Sequence, residues 1–349
     1  MLNEPGIVNK NSVNDLSEPL VEVWRGNVLE SVHKGHFVVV TPSGKIVDGA
    51  GDTRFMTYPR SSLKLIQAMG LIESGAADQY HLENRHIAIA CASHKGEAFH
   101  INTVDEWLRR IGCTHEQLAC GPDLPRNPEA MIKVLSAGHG KKSIYHNCSG
   151  KHTGFLTLCS HLGVDPMGYD ALDHPSQSRY LDDLSLLCEC DARKLSWGVD
   201  ACTLPAPAIA LNAMATAVAK LAVPTGLAEP KRMAVERIFE AITREPKYFS
   251  GTNQVASMLS RVTKGRIIAK PGAEGYFVAA VRDLGLGVAL KITDGAGRAS
   301  AVAILAILTK IGALSPAEFA QLKPLAAPEI LDSRGGLVGS LVASERLPN

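Results

Sequence analysis

The chain has almost no excess charge of either sign. Thirty-six lysines and arginines face 35 aspartates and glutamates, a formal charge of +1. With no basic tail and no interleaved aromatic and basic stretch, nucleic acid is excluded as an expected partner. Long apolar runs are also missing. The most hydrophobic segments are as short as buried helices and are broken by Lys, Gly or Pro, so no membrane span is expected. The opening MLNEPGIVNKNSVNDLSEPL lacks the basic-then-apolar order of a secretory leader. A cytoplasmic location follows as an expectation, with the eight cysteines reduced. There is no C-x-x-C, no H-E-x-x-H, and no P-loop or dinucleotide fingerprint after a suitable strand. Internal repeats and long low-complexity linkers are absent too.

What is present suits a globular enzyme. Over 349 residues, 46% are hydrophobic and 20% charged, enough for a large core or two closely joined lobes. Residues 19–51 read as strands, rich in β-branched residues and punctuated by Arg25-Gly26 and Ser43-Gly44. From Ser61 to about Ser74 the period turns helical, with Gly75 as the stop. HIAIACASHKG reads as a short buried strand ending on polar residues, and NTVDEWLRRIG as a surface helix. NCSGKHTGFLTLCSHLG, SRYLDDLSLLCEC and PAIALNAMATAVAKLA read as helical. GRIIAKPGAEGYFVAAVRDLGLGVALKITDG returns to strands, and RASAVAILAILTKIGAL is a strongly apolar helix. The expected fold is α/β (α+β), with one antiparallel sheet built from both chain ends and a helical middle. One domain, 1–349, is expected. Within it, 15–60 plus 260–349 would form a sheet lobe and 61–259 a mainly helical lobe.

Three polar segments interrupt this apolar framework. In YPRSSLK, Ser61 and Lys64 are three residues apart, close to one helical turn, so their side chains can face one another. A serine hydroxyl attacks only when something takes its proton, and a neutral lysine can do so. The competing reading makes Ser61 or Ser62 a helix cap and leaves Lys64 in solvent. In CASHKGE, Ser93 ends an apolar run and could relay a proton. In AKPGAEG, Lys270 and Gly272 end another, and an amine near Lys64 would depress one of the two pKa values. NCSGKHTG packs Asn147, Cys148, Lys151 and His152 into one polar block, where Gly150 and Gly154 permit close backbone approach. Cys148 could be a nucleophile with His152 as base, a zinc ligand with Cys202, or inert core.

The combination RSSLK, CASHKGE, NCSGKHTGFL, GVDACTLPAPA and KPGAEG resembles the bacterial L-asparaginases of the Rhizobium etli type, sometimes called class 3. The likeness runs from VEVWRG to the final apolar helix. It implies a fold like that of serine β-lactamases and glutaminases, and hydrolysis of L-asparagine to L-aspartate and ammonia. By this resemblance Ser61 is the nucleophile, Lys64 its adjacent lysine, and Ser93 and Lys270 the second serine and lysine. It also implies Zn2+ held by Cys148, Lys151 and Cys202, with Asp200 as an orienting group, and a homodimer. Asp200 would meet the substrate ammonium and Arg60 its carboxylate, with Asn147 and His152 orienting. A further family cysteine has no counterpart, because gapless placement puts Ala256 there. Three alternatives stay open. They are a serine glutaminase or β-lactamase-like amidase or esterase, a Cys148–His152 hydrolase, and a non-catalytic zinc-binding protein.

Overall fold

The computed structural model describes residues 16–345 and 347. The leader reading concerns the first twenty residues, most of which lie outside that range. Among the described residues twelve strands form: β1 (Glu18–Arg25), β2 (Val28–Val40), β3 (Ile46–Ala50), β4 (Met56–Thr57), β5 (Trp197–Val199), β6 (Pro205–Pro207), β7 (Ile209–Ala210), β8 (Ile267–Pro271), β9 (Tyr276–Val281), β10 (Leu286–Ile292), β11 (Glu329–Leu331) and β12 (Leu337–Ala343). Eight make one sheet in the order β11-β12-β1-β2-β10-β9-β8, with β3 pairing β2. Every neighbouring pair in it is antiparallel. The sheet is therefore built from both chain ends, as expected. The C-terminal strands β11 and β12 are an addition that the sequence reading missed.

The two-residue period of a strand decides which layer each side chain joins. On β2, Val38 and Val40 enter the core shared with the helical middle. Phe37 and Val39 enter the core under the apolar helix Gly297–Lys310. The same alternation on β8 sends Ile268 toward the helical middle and Ile267 and Ala269 to the other face. Covering both faces explains why β9 is buried at all six positions. Lys270 has the parity of Ile268, so its side chain is carried toward the helical layer.

Most of the expected helices form, including Ser149–Leu162, Ser178–Cys188 and Leu211–Ala222. Gly75 adopts φ +84 just after the helix Met69–Glu73, as a left-handed stop requires. The surface helix begins earlier than expected, at Ala98, and runs to Arg110. One expectation fails outright. HIAIA is not a strand but part of the helix Asn84–Ala90. Its residues 86–90 are all buried, so no polar face marks a helical period. Its start is set by a local bond in which Glu83 N–H donates to His86 Nδ1 at 3.0 Å. Among the described residues no helix is long and apolar enough to cross a membrane.

Candidate active site

Ser61 sits in a 3-10 turn, Arg60–Leu63, that leads directly into the helix Lys64–Gln67. In such a turn residues three apart eclipse one another, so Ser61 and Lys64 share a face. Arg60 takes φ +53, a left-handed conformation uncommon outside glycine. It is held there by Asp200, whose Oδ1 accepts from Arg60 Nε at 2.8 Å and lies 2.6 Å from the terminal guanidinium nitrogen. β8 presses on this turn from the other side. A Cβ on Gly272 would stand 2.3 Å from Pro59 O and 3.1 Å from Ser62 Oγ, so only glycine allows the strand so close. Ser62 Oγ donates to Lys270 O at 2.9 Å and fastens the two elements together.

Lys64 and Lys270 reach the same atom from opposite layers. Lys64 Nζ donates to Ser93 Oγ at 3.1 Å and also to Ala92 O. Lys270 Nζ donates to Ser93 Oγ at 2.9 Å and to Pro271 O at 3.1 Å. Both lysines are fully buried. Burial first, and then the charge of Lys64, hold the Lys270 amine well below the ordinary lysine range. The direct Ser61–Lys64 hydrogen bond anticipated from the S-x-x-K spacing is not made. Among the described residues the Ser61 hydroxyl has no hydrogen-bond partner. It opens instead on a cavity of about 310 Å³ shared with Ser93 and Asn147. Ala256 lines the same cavity.

Ser93 is positioned by its neighbour. His94 N–H donates to Asn147 O at 3.1 Å. His94 Nδ1 accepts from Gly96 N–H at 3.1 Å, which leaves Nε2 to donate to Ser149 Oγ at 2.8 Å. Burial keeps this imidazole neutral by pushing its pKa far down. The polar block beginning at Asn147 is thus spent partly on tying Ser93–His94 to the helix Ser149–Leu162. Gly150 permits close contact, since a Cβ there would stand 2.5 Å from Ile89 O. Gly154 does not serve this purpose, because its nearest neighbour would be 3.8 Å away.

The zinc expectation is corrected. Among the described residues no three His, Cys, Asp or Glu side chains come together where a metal ion could be held. The chemistry of Cys148, Lys151 and Cys202 gives the reason. The Cys202 thiol hydrogen-bonds Cys148 and lowers the Cys148 pKa well below the thiol range, while the same bond raises that of Cys202. One negative charge is shared between the two sulfurs. Lys151 Nζ donates to Cys202 Sγ at 3.0 Å. Burial opposes charge on Lys151, but the sulfurs and Asp200 outweigh it and raise its pKa. A protonated ammonium has no lone pair to offer a metal. The cluster is charge-balanced without an ion, and the expected Zn2+ site is set aside together with the reading of the chain as a zinc-binding protein.

Other anticipated residues fall outside the cavity. Arg60 and Asp200 pair with each other and do not line it. His152 is buried, with Nδ1 against Tyr169 Oη at 2.7 Å and Nε2 unpartnered. Cys148 is likewise buried off the cavity, so a Cys148–His152 nucleophile finds no space for substrate. Sequence reasoning assigns no role to Lys95, at the end of the CASHKGE run, or to Arg126, yet both line the cavity. The Pro-rich loop GPDLPRNPEAM carried the only signal for Arg126, a cation just before an Asn-Pro helix start.

Comparison with known proteins places this geometry in a wider set. The model of a family described as L-asparaginase II matches residues 21–343. No curated protein matches the chain. Among solved structures, one from Bacteroides dorei DSM 17855, provisionally described as a beta-lactamase, is similar at 11% identity. It covers 74% of this chain and 84% of its own with a TM-score of 0.40.

Proposed function

The chain belongs to the L-asparaginase II family, and from that premise we propose that it cleaves the side-chain amide of L-asparagine through an acyl-enzyme on Ser61. Family membership makes the chain an amidohydrolase of asparagine-type small molecules that works with serine and lysine. The observation that carries the finer reading is the pair of lysines meeting on Ser93 Oγ beside a cavity onto which Ser61 opens.

Lys270, kept neutral by burial and by Lys64, is the base. For the transfer the 2.9 Å contact reverses: the neutral amine turns its lone pair to Ser93 and accepts the Ser93 proton as Ser93 takes the proton of Ser61. Ser61 Oγ then attacks the amide carbon. The carbon–nitrogen bond breaks as the proton returns through Ser93 to the leaving nitrogen, which departs as ammonia. Water repeats the sequence on the ester and releases L-aspartate. Lys64 tunes the base by its charge, a change from the direct role that the S-x-x-K spacing suggests. Lys64 from the helical segment and Lys270 from the sheet meet here, which supports treating residues 1–349 as one functional domain with its site on the seam.

Glutamine is the close competitor, because one extra methylene is rejected only about 10- to 200-fold by an apolar slot. Ammonia release from both amides, measured side by side, is expected to favour asparagine in kcat/KM by roughly tenfold or more. Equal or reversed values would make the enzyme a glutaminase.

A homodimer and a cytoplasmic site complete the proposal. Exposed Val28, Leu29 and Val32 on β2, and Leu331 and Leu337 on β11 and β12 beyond β1, leave apolar side chains in solvent near the β1–β2 turn, which a second copy would cover. Light scattering at micromolar concentration is expected to give twice the chain mass, and a monomer mass would remove the dimer. All eight cysteines are free, as a reducing compartment keeps them. Cell fractionation tests that location.

A further inference from the structure

Two cations on the cavity wall take no part in the steps above. Lys95 and Arg126 line the cavity that holds Ser61 and Ser93, and among the described residues no aspartate or glutamate lines it. We propose that Lys95 and Arg126 together form the receptor for the substrate's α-carboxylate, the role that Arg60 was expected to fill. This rests on the asparagine reading of the same site.

The pair is built into the fold. Gly96 has φ +72, and a Cβ on it would stand 2.8 Å from both Cα and Cβ of Pro125. Asn127 N–H donates to Lys95 O at 2.7 Å. The backbone of Pro125–Asn127 therefore lies directly on Lys95–Gly96, which holds Arg126 beside Lys95. The stem of Lys95 is packed as well, since a Cβ on Gly251 would stand 2.8 Å from its Cγ.

The charges are uncompensated where they meet. Among the described residues the Lys95 ammonium has no hydrogen-bond or ion-pair partner. Its sequence neighbour Glu97 is committed to Thr252, accepting from its N–H at 2.9 Å and its hydroxyl at 2.6 Å. Arg126 has only Asp123, at 3.6 Å and with half its own side chain in solvent, a pairing of little strength. Burial first and then Arg126 depress the Lys95 pKa, the response of two cations waiting for an anion. The helix Pro128–Ser136, capped by Asn127 Oδ1 accepting from Ala130 N–H at 2.9 Å, begins two residues after Arg126. Its positive end adds to the same potential.

The remaining polar lining suits the rest of an amino acid. Asn147, Ser250 and Gln254 are neutral and offer acceptor oxygens to an α-ammonium. A planar guanidinium and a point-charge ammonium side by side match a carboxylate. Arg60 cannot fill this place, since its guanidinium is taken by Asp200.

The test compares L-asparagine with 3-aminopropanamide, which keeps the amine and the reactive amide and lacks only the carboxylate. Arg126→Gln and Lys95→Gln are each expected to raise KM for L-asparagine roughly 10- to 100-fold and to leave kcat within about threefold. Turnover of 3-aminopropanamide should stay at its wild-type level, so the preference for asparagine collapses. A preference that survives in both variants, with KM unchanged, overturns the proposal. So does equal loss of both substrates in folded protein. If the wild type releases no ammonia from L-asparagine, the asparagine reading fails separately. Calorimetry with L-aspartate then decides the carboxylate claim, which stands if the wild type binds and the variants do not, and falls otherwise.

Discussion

Ser61→Ala is expected to lower kcat for L-asparagine by roughly 10⁴- to 10⁶-fold, the scale on which loss of a covalent nucleophile is felt. The fold should be indifferent to the change. The hydroxyl has no hydrogen-bond partner among the described residues and faces the cavity, so removing it orphans no buried group. Thermal unfolding is expected to move by less than about 1 kcal/mol equivalent, and L-aspartate should still bind. These readouts together separate a chemical defect from a structural one. Ammonia production within about tenfold of wild type in the folded variant would end the acyl-enzyme proposal, whatever base was assigned. Cys148→Ala serves as the counterpart. Its sulfur is buried away from the cavity, so turnover should survive it, whereas a cysteine hydrolase would be silenced.

Lys64→Met carries the second large effect, and its sign follows from Lys270. A base works only when deprotonated, so activity rises with pH through the pKa of Lys270. That pKa is depressed by burial and by the charge of Lys64. Removing the charge lets it climb back toward the ordinary lysine range, and the acid limb of kcat/KM should move to higher pH by about one unit or more. Near neutral pH the variant should be slower by roughly tenfold for each unit of that move, with most of the loss recovered in alkaline buffer. Methionine is unbranched and fills the buried channel of the lysine stem. Lys270→Met should instead lose activity at every pH, because no base remains to be titrated. A Lys64→Met profile that keeps its acid limb in place would show that Lys64 does not tune Lys270.

Several parts of the architecture were legible in sequence because their causes are local. The strands at 19–51 announce themselves by β-branched residues and turns, and the helix at 297–310 by an unbroken apolar run. Gly75 ends its helix through a conformation that only the residue itself must adopt. The segment at 84–90 misled for the opposite reason. It is buried on every side, so the period that distinguishes helix from strand has no polar half to reveal it. β12 was missed because Leu337–Ala343 is only half buried and finds its partner, β1, at the far end of the chain.

Which residues could perform the chemistry is written in the chain order. S-x-x-K, CASHKG and KPG each set serine or lysine at the edge of an apolar element, and the family likeness rests on those short stretches. How they combine is set by folding. Ser93 lies 29 residues from Lys64 and 177 from Lys270, separations over which local preference says nothing and packing of the two layers says everything. The same packing paired Arg60 with Asp200 across 140 residues, joined Lys151 to Cys202 in a charge-balanced cluster, and brought Arg126 from a proline-rich loop to the wall of the cavity. A side chain's role here depends on which charge it meets after folding, and the chain order does not contain that distance.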